Sequence, residues 1–376
     1  MFLFDSETLY NTRKLLTRIN AGMLKKWISS IQLARDIWRR KLGLFLFDRA
    51  AEKFELKDDI KRIVLVRWDA KWGDSIVSSF VFREWRKAYP GIKIDVITTP
   101  NMSGLFKDYF SADHVYEVKK RPSYGELKIL ASEIGHVDLL VHLSKALKMK
   151  DLYFMSKVQA NFIAGLDDQV KLVNLKLGRI TKNKHFSDKY KMLLEHTGVQ
   201  QVCADYIVPE NESSAINVGQ FLSAISGPLL VFNPYGSGGA RQLSKSTISD
   251  IIETINSERG VVNIVLLTMP DKKDEVALIC ERYNNVHFYA DSRSIYDSIE
   301  IMRQADYILS VDTATVHIAT GLQKPLLALY NPDEENYKEW HPNNKLSDSI
   351  FAQKNNPPNI NFFDKSSFKE KIPNLF

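Results

Sequence analysis

The chain has 376 residues, 44% of them hydrophobic, and a net charge of +6. That is room for two domains of ordinary size, each with a core, in the composition of a soluble globular protein. Cys203 and Cys280 are too far apart for a disulfide framework or a zinc site, which points to a reducing cytosol. No apolar run approaches the roughly 18–20 residues that span a bilayer. Asp5, Glu7, Arg13 and Lys14 break up the N-terminus where a signal peptide would be apolar.

The basic excess lies in residues 1–53, with eleven Lys/Arg against five Asp/Glu. Such an arm suits anionic lipid, an anionic substrate or nucleic acid, but no nucleic-acid-binding motif accompanies it. Over residues 8–53, Leu15, Leu16, Ile19, Met23, Trp27, Ile31, Ala34, Trp38, Leu42 and Phe45 recur at helical steps. The segment is either an amphipathic helix on an anionic membrane surface or a helix packed on the protein's own body or a partner.

Arg62–Arg67 reads as a buried strand, 68–74 as a loop, 75–88 as one amphipathic helix and 93–98 as the next strand, a βαβ unit. A helix is expected over 105–110, a strand over 114–118, a helix over 127–134, and strands over 138–142 and 161–165. Residues 167–185 read as an irregular basic connection and 189–197 as a helix. After a linker at 209–213 the α/β pattern resumes: helices over 216–225, 246–257, 274–283 and 295–305, and strands over 228–233, 262–268 and 287–289. Tyr307–Val311 is a strand ended by Asp312, a helix follows, and Leu326–Tyr330 is another strand. The last 30 residues read as a polar loop that returns to the first domain. The expected division is an arm at 1–60, Rossmann-like domains at 61–208 and 209–345, and a tail at 346–376.

The stretch from Tyr307 to His317 is strand, turn and helix start. The free N–H groups of 313–316 and the helix dipole suit an anion such as a phosphate. Asp74, after Gly73 at a strand-to-helix turn, is either a general base or an ordinary helix cap; Asp69 is its rival or a brace for the loop. Gly236-Ser-Gly-Gly239 offers N–H donors but is neither a P-loop nor the spaced dinucleotide fingerprint. No Asp-x-Asp pair occurs anywhere in the chain, which argues against metal-dependent sugar transfer, and no Gly-x-Ser-x-Gly elbow occurs.

Three stretches carry a resemblance: Ile63-Val-Leu-Val-Arg-Trp-Asp-Ala-Lys-Trp-Gly-Asp74, Leu230-Val-Phe-Asn-Pro-Tyr-Gly-Ser-Gly-Gly-Ala-Arg241, and Asp312-Thr-Ala-Thr-Val-His317 with Lys324-Pro325 and Tyr330-Asn-Pro332. In order and separation they resemble glycosyltransferase family 9, the ADP-heptose:lipopolysaccharide heptosyltransferases, over residues 61–345. The resemblance implies an α/β fold of the GT-B kind, two Rossmann-like domains facing a cleft, here with an extra N-terminal helical arm. It implies inverting, metal-independent transfer of heptose from ADP-heptose to a lipopolysaccharide core acceptor, without a cofactor, on the cytoplasmic face of the inner membrane. Another nucleotide sugar for a different surface glycan, or a non-catalytic nucleotide-binding role in glycan assembly, are the alternatives.

On that resemblance Asp74 is the base, and Asp69, Lys71, Trp72 and Gly73 lie toward the acceptor. The donor falls to Arg241, Asp312, Thr313, Ala314, Thr315, Ser237 and Gly238, with Met269 over the base. Lys245 is the alternative cation to Arg241. His317 either reaches the phosphates or bonds within the core. Ala314 stands where the family has Gly, and its methyl narrows close backbone approach. Acceptor specificity is expected in loops around 98–125 and 144–185.

Overall fold

The structure, a computed structural model, describes residues 27–28, 30–55, 60–260 and 262–376. The helix expected over 8–26 lies outside them. In chain order the elements are α1 (27–28 and 30–47), β1 (Arg62–Arg67), α2 (Trp72–Val77), α3 (Phe80–Ala88), β2 (Lys93–Thr98), α4 (Pro100–Gly104) with a π turn at Leu105–Tyr109, and β3 (His114–Glu117). Then come α5 (Tyr124–Ile134), β4 (His136–His142), α6 (Met149–Lys157), β5 (Gln159–Gly165), β6 (Leu175–Lys176) and α7 (Phe186–His196). The remainder is α8 (Glu212–Leu222), β7 (Leu229–Asn233), α9 (Lys245–Arg259), β8 (Asn263–Leu266), α10 (Lys273–Cys280), β9 (Val286–His287), α11 (Ile295–Gln304), β10 (Tyr307–Val311), α12 (Ala314–Gly321), β11 (Leu326–Tyr330), α13 (Glu334–Trp340), β12 (Ser347–Phe351) and α14 (Lys365–Leu375). Two parallel six-stranded sheets with flanking helices give the α/β, GT-B-like fold class expected from the sequence.

The chain divides into two compact units, Met1–Glu55 with Arg121–Gly178, and Leu56–Lys120 with Arg179–Phe376. In the first, β4, β5 and β6 lie side by side, with His136 opposite Gln159 and His142 opposite Gly165. The later part of α1 is fastened to this unit. Arg40 takes Asp167 in two bonds of 2.7 and 3.0 Å and the Leu147 carbonyl at 2.7 Å. Asp48 accepts the N–H groups of Lys171 and Leu172 at 3.0 and 2.9 Å. The packed reading of the arm therefore holds for one side of residues 40–48, that of Arg40, Gly43, Phe47 and Asp48, whereas Lys41, Phe45 and Leu46 and all of 31–38 are exposed. Among the described residues no helix is long and apolar enough to cross a membrane.

In the second unit β1 pairs with β2 over its whole length, Arg62 with Lys93 to Arg67 with Thr98. The other sheet runs β12-β11-β10-β7-β8-β9, so strand order reverses between β7 and β10. Ser310 pairs with Asn233 there. The loops leaving both strands emerge together at the carboxyl edge, where open α/β sheets take ligands.

The single helix expected over 75–88 is two. The hydroxyls of Ser78 and Ser79 donate to the carbonyls of Ser75 (3.0 Å) and Ile76 (2.7 Å), and backbone bonds tighten to three-residue steps there; side-chain back-bonding of this kind competes with the helix ladder. The C-terminal 30 residues are not a loop on the first domain. They form β12 and α14, and Phe368, Ile372 and Leu375 are buried in one core with Leu230, Ile251 and Leu329 of the later sheet. Asn355-Asn-Pro-Pro358 is loop-like, but Phe368, Ile372 and Leu375 after it are spaced for one buried helix face. α6 and α13 were also missed, both rich in polar side chains.

Candidate active site

The loop after β1 is tightly wound. Ala70 sits at φ +54°, in the left-handed region that costs a non-glycine residue about 1 kcal/mol or more. This turn delivers Lys71, Trp72, Gly73 and Asp74 to the start of α2. Gly73 lies directly on α12. A Cβ there would stand 2.7 Å from Cδ2 of His317 and 3.2 Å from Cα of Ala314. Only glycine allows the two turns to meet so closely. Gly73→Ala is expected to cost about 1–3 kcal/mol in urea unfolding, because the imidazole it meets is buried and cannot swing aside. Unchanged stability would show that α12 yields instead.

Asp74 is in the first turn of α2, and its side chain is 19% exposed. Lys71 Nζ stands 3.5 Å from its Oδ2. Burial raises the Asp74 pKa above the ordinary carboxylate range, against the pull of Arg67 and Lys71. No side chain caps α2, so Asp74 is not spent as a cap. Asp69 is more exposed and pairs with Arg67 Nη2 at 3.5 Å. Trp72 meets the ring of Tyr296 edge-on at 5.5 Å, and Tyr296 lies 5.0 Å from Tyr109.

Arg67 was overlooked. It ends an apolar strand, 8% exposed, and donates to the Tyr190 hydroxyl at 2.7 Å. Burial opposes its charge, but Asp69, Tyr190 and Asp74 hold its pKa above the usual arginine value. Its Nε–H is buried without a hydrogen-bond partner. The signal was present in the sequence: a cation closing a buried strand needs a reason.

On the facing side, Asp312 is buried and receives Arg241 Nε at 3.4 Å and Asn336 Nδ2 at 3.4 Å. Burial raises its pKa, opposed by Arg241, Asn336 and Lys71. Lys71 thus acts electrostatically on both Asp74 and Asp312. The charges alternate through the site: Arg241, Asp312, Lys71, Asp74, Arg67.

α12 begins at Ala314 after an extended Thr313 that offers no side-chain cap. Its first-turn N–H groups have no carbonyl one turn back. Of the four donors expected over 313–316, Val316 is already taken by the Thr313 carbonyl at 3.1 Å. The Thr315 hydroxyl is buried and accepts Asn233 Nδ2 at 2.6 Å, so its side chain braces β7 against α12. Ala314 begins α12 with right-handed helical backbone, a conformation that does not call for glycine.

The 234–242 loop closes on itself, Gly236 N–H to the Arg241 carbonyl at 2.9 Å. A Cβ on Gly236 would stand 2.8 Å from that of Arg241 and 3.2 Å from the Asp312 carbonyl. Gly236, not Gly238, is therefore the glycine of close approach; Gly238 serves the turn itself at φ +83°. Ser237 and Gly238 are exposed at the loop tip. Asn331 Nδ2 holds the Ala240 carbonyl at 2.9 Å. Met269 is half-buried against the core below the sheet edge. Lys245, the alternative cation, starts α9, whereas Arg241 is the one that pairs with Asp312.

His317 is buried, and burial with the nearby His341 lowers its pKa to about 4, so it is neutral at pH 7. Its ring lies against Gly73 and, at 5.9 Å, Trp340. Nδ1 has no hydrogen-bond partner. Trp340 stacks on Phe186 at 4.3 Å, and Glu339 pairs with Lys189 at 2.8 Å with both side chains buried. α13 thus supplies Asn336 to Asp312 and a hydrophobic backing to His317, which a run of charged residues gave no hint of.

Residues 138–370 match the model of glycosyltransferase family 9 (heptosyltransferase). The match begins after the Arg67–Asp74 turn, so that half of the site rests on its geometry. The chain is 22% identical over 310 residues to an Escherichia coli K12 protein provisionally named lipopolysaccharide heptosyltransferase 4, covering 78% of this chain and 82% of that one. Its fold is similar to that of a glycosyl transferase family 9 protein from Veillonella parvula, with a TM-score of 0.66 at 18% identity, over 86% of this chain and 99% of that one. It is also similar to Escherichia coli heptosyltransferase WaaC solved with ADP, with a TM-score of 0.61 at 17% identity, over 84% of this chain and 100% of that one.

Proposed function

Given that the chain belongs to glycosyltransferase family 9, we propose that it moves heptose from ADP-heptose to a lipopolysaccharide core acceptor, with inversion and without a metal. The observation that carries this reading is the seating of Gly73 on Ala314 and His317. It brings the turn that carries the buried Asp74 onto the start of α12, and Arg241 pairs with Asp312 just before that helix; this supports a displacement with a diphosphate leaving group.

Asp74 takes the proton of the acceptor hydroxyl. The hydroxyl oxygen forms a bond to the anomeric carbon from the face opposite the diphosphate. The bond from that carbon to the phosphate oxygen breaks, and its electron pair leaves with ADP. Arg241 and the free N–H groups at the start of α12 meet the charge that grows on the departing phosphate. Asp312 accepts from sugar hydroxyls, and Lys71 lies between the two reacting halves. The acceptor would be met at the cytoplasmic face of the inner membrane.

Nucleotide protection tests the donor. ADP at about 100 times its dissociation constant is expected to stabilise the protein by about 2.7 kcal/mol, read as a rise in the thermal midpoint. UDP and GDP should give clearly less, and Arg241→Ala should lose most of the ADP effect. Stronger protection by UDP or GDP would reassign the donor.

A further inference from the structure

The arm before residue 56 presents a face that neither half of the active site uses. In α1, Trp27, Ile31, Ala34, Trp38, Leu42 and Phe45 recur at steps of four and three, or multiples of them. At about 100° per residue these side chains share one stripe. Where the helix is docked the stripe faces away from the protein, with Trp38 62% exposed and Phe45 84%; Trp27, 63% exposed, lies in the earlier part, where the other side is exposed too, as at Leu33.

The opposite side of the same helix is the docked one. Arg40, Gly43 and Phe47 lie there. Arg40 holds Asp167. A Cβ on Gly43 would meet Met149 Cα at 3.0 Å, and Phe47 packs edge-on against Tyr153 at 5.2 Å. Fastening by this side fixes the rotation of the helix, so the aromatic stripe is turned outward by the fold. Three bulky apolar side chains more than half exposed on one stripe are unusual on a soluble surface without a partner.

We propose that this stripe seats α1 in the plane of an anionic lipid surface. Charge favours lipid over a second copy of the chain. By helical position Arg39 borders the stripe on one side and Lys41 on the other, while Arg35 is held by the exposed Asp36 at 3.0 Å. Residues 1–53 as a whole carry eleven basic against five acidic side chains. Two copies joined along this stripe would bring like charges together. Anionic headgroups complement them, and tryptophan with basic flanks is the composition that settles at a bilayer interface.

The test uses the full chain and vesicle flotation. Vesicles of phosphatidylglycerol with phosphatidylethanolamine are expected to bind it at least about tenfold more tightly than phosphatidylcholine vesicles. The double variant Trp38→Glu/Phe45→Glu should lose about tenfold or more of that binding. Its thermal midpoint and its activity on a soluble acceptor should stay unchanged, because both side chains are exposed and neither is among the proposed substrate-binding residues. Arg39→Glu/Lys41→Glu should remove the preference for phosphatidylglycerol. Equal binding by the Trp38/Phe45 variant, or no vesicle binding by the unaltered chain, would overturn the proposal. So would light scattering that shows a dimer dissociated by the same two substitutions. Each outcome can be read whether or not the donor is ADP-heptose.

Discussion

Asp74→Asn is expected to lower the transfer rate about 10²–10⁴-fold, the range of a positioned general base, while ADP binding stays close to unchanged. The substitution keeps shape and removes charge. A cap residue would behave differently: its loss weakens the helix and leaves chemistry intact. Linkage gives a second readout. Burial raises the folded-state pKa of Asp74, so the folded state holds this proton more tightly than the unfolded chain. The stability that comes with the proton is present below the unfolded-state value and is lost as pH rises through the raised folded value. At neutral pH the buried charge is therefore a burden on the fold. Asp74→Asn should not lower the thermal midpoint at pH 7, and should raise it if anything. A marked fall in stability with activity retained would return Asp74 to a structural role. Steady-state kinetics, ADP titration calorimetry and thermal unfolding on one preparation decide between them.

Arg67→Met is expected to act in the other direction on the same carboxylate. Arg67 is the strongest of the charges that hold the Asp74 pKa down against burial. Without it the pKa rises further, and the acidic limb of the kcat/KM profile moves to higher pH, because the base must be ionised to work. Stability should also fall, by about 2–3 kcal/mol. Asp69 is solvated enough to lose its partner at little cost, but the buried Tyr190 hydroxyl has no other hydrogen-bond partner among the described residues once the guanidinium has gone. A pH profile that does not move would separate Arg67 from the base, even if the protein were weaker. Arg67→Lys should recover part of the pH limb, since the charge matters to Asp74, but little of the stability, since an ammonium lacks the fork that reaches Tyr190.

Much of this fold was legible because buried parallel strands are short apolar runs with sharp ends. Arg62–Arg67, Tyr307–Val311 and Leu326–Tyr330 fall where their β-branched and leucine residues place them. Helix ends were less legible where hydroxyls compete with the backbone, as at Ser78 and Ser79. The charged helix α13 could not be seen at all, since its one buried face depends on Trp340 meeting Phe186 and His317. The same limit applied to the site. Gly73, Asp74, Arg241 and Asp312 stand out by type and by position at strand ends. Asn233, Asn336 and Tyr190 are polar residues in polar or mixed surroundings, and only the folded chain shows what they hold. Arg67 was the one omission that the sequence itself could have corrected.

α7 touches both halves of the site. Tyr190 accepts from Arg67, while Phe186 and Lys189 hold Trp340 and Glu339 of α13, which in turn places Asn336 on Asp312. One crossbeam thus sets the spacing between base and leaving-group cradle. The entropy of bringing those groups together is met when the chain folds, so substrate binding energy is left for orientation of the sugar and not for assembly of the machinery.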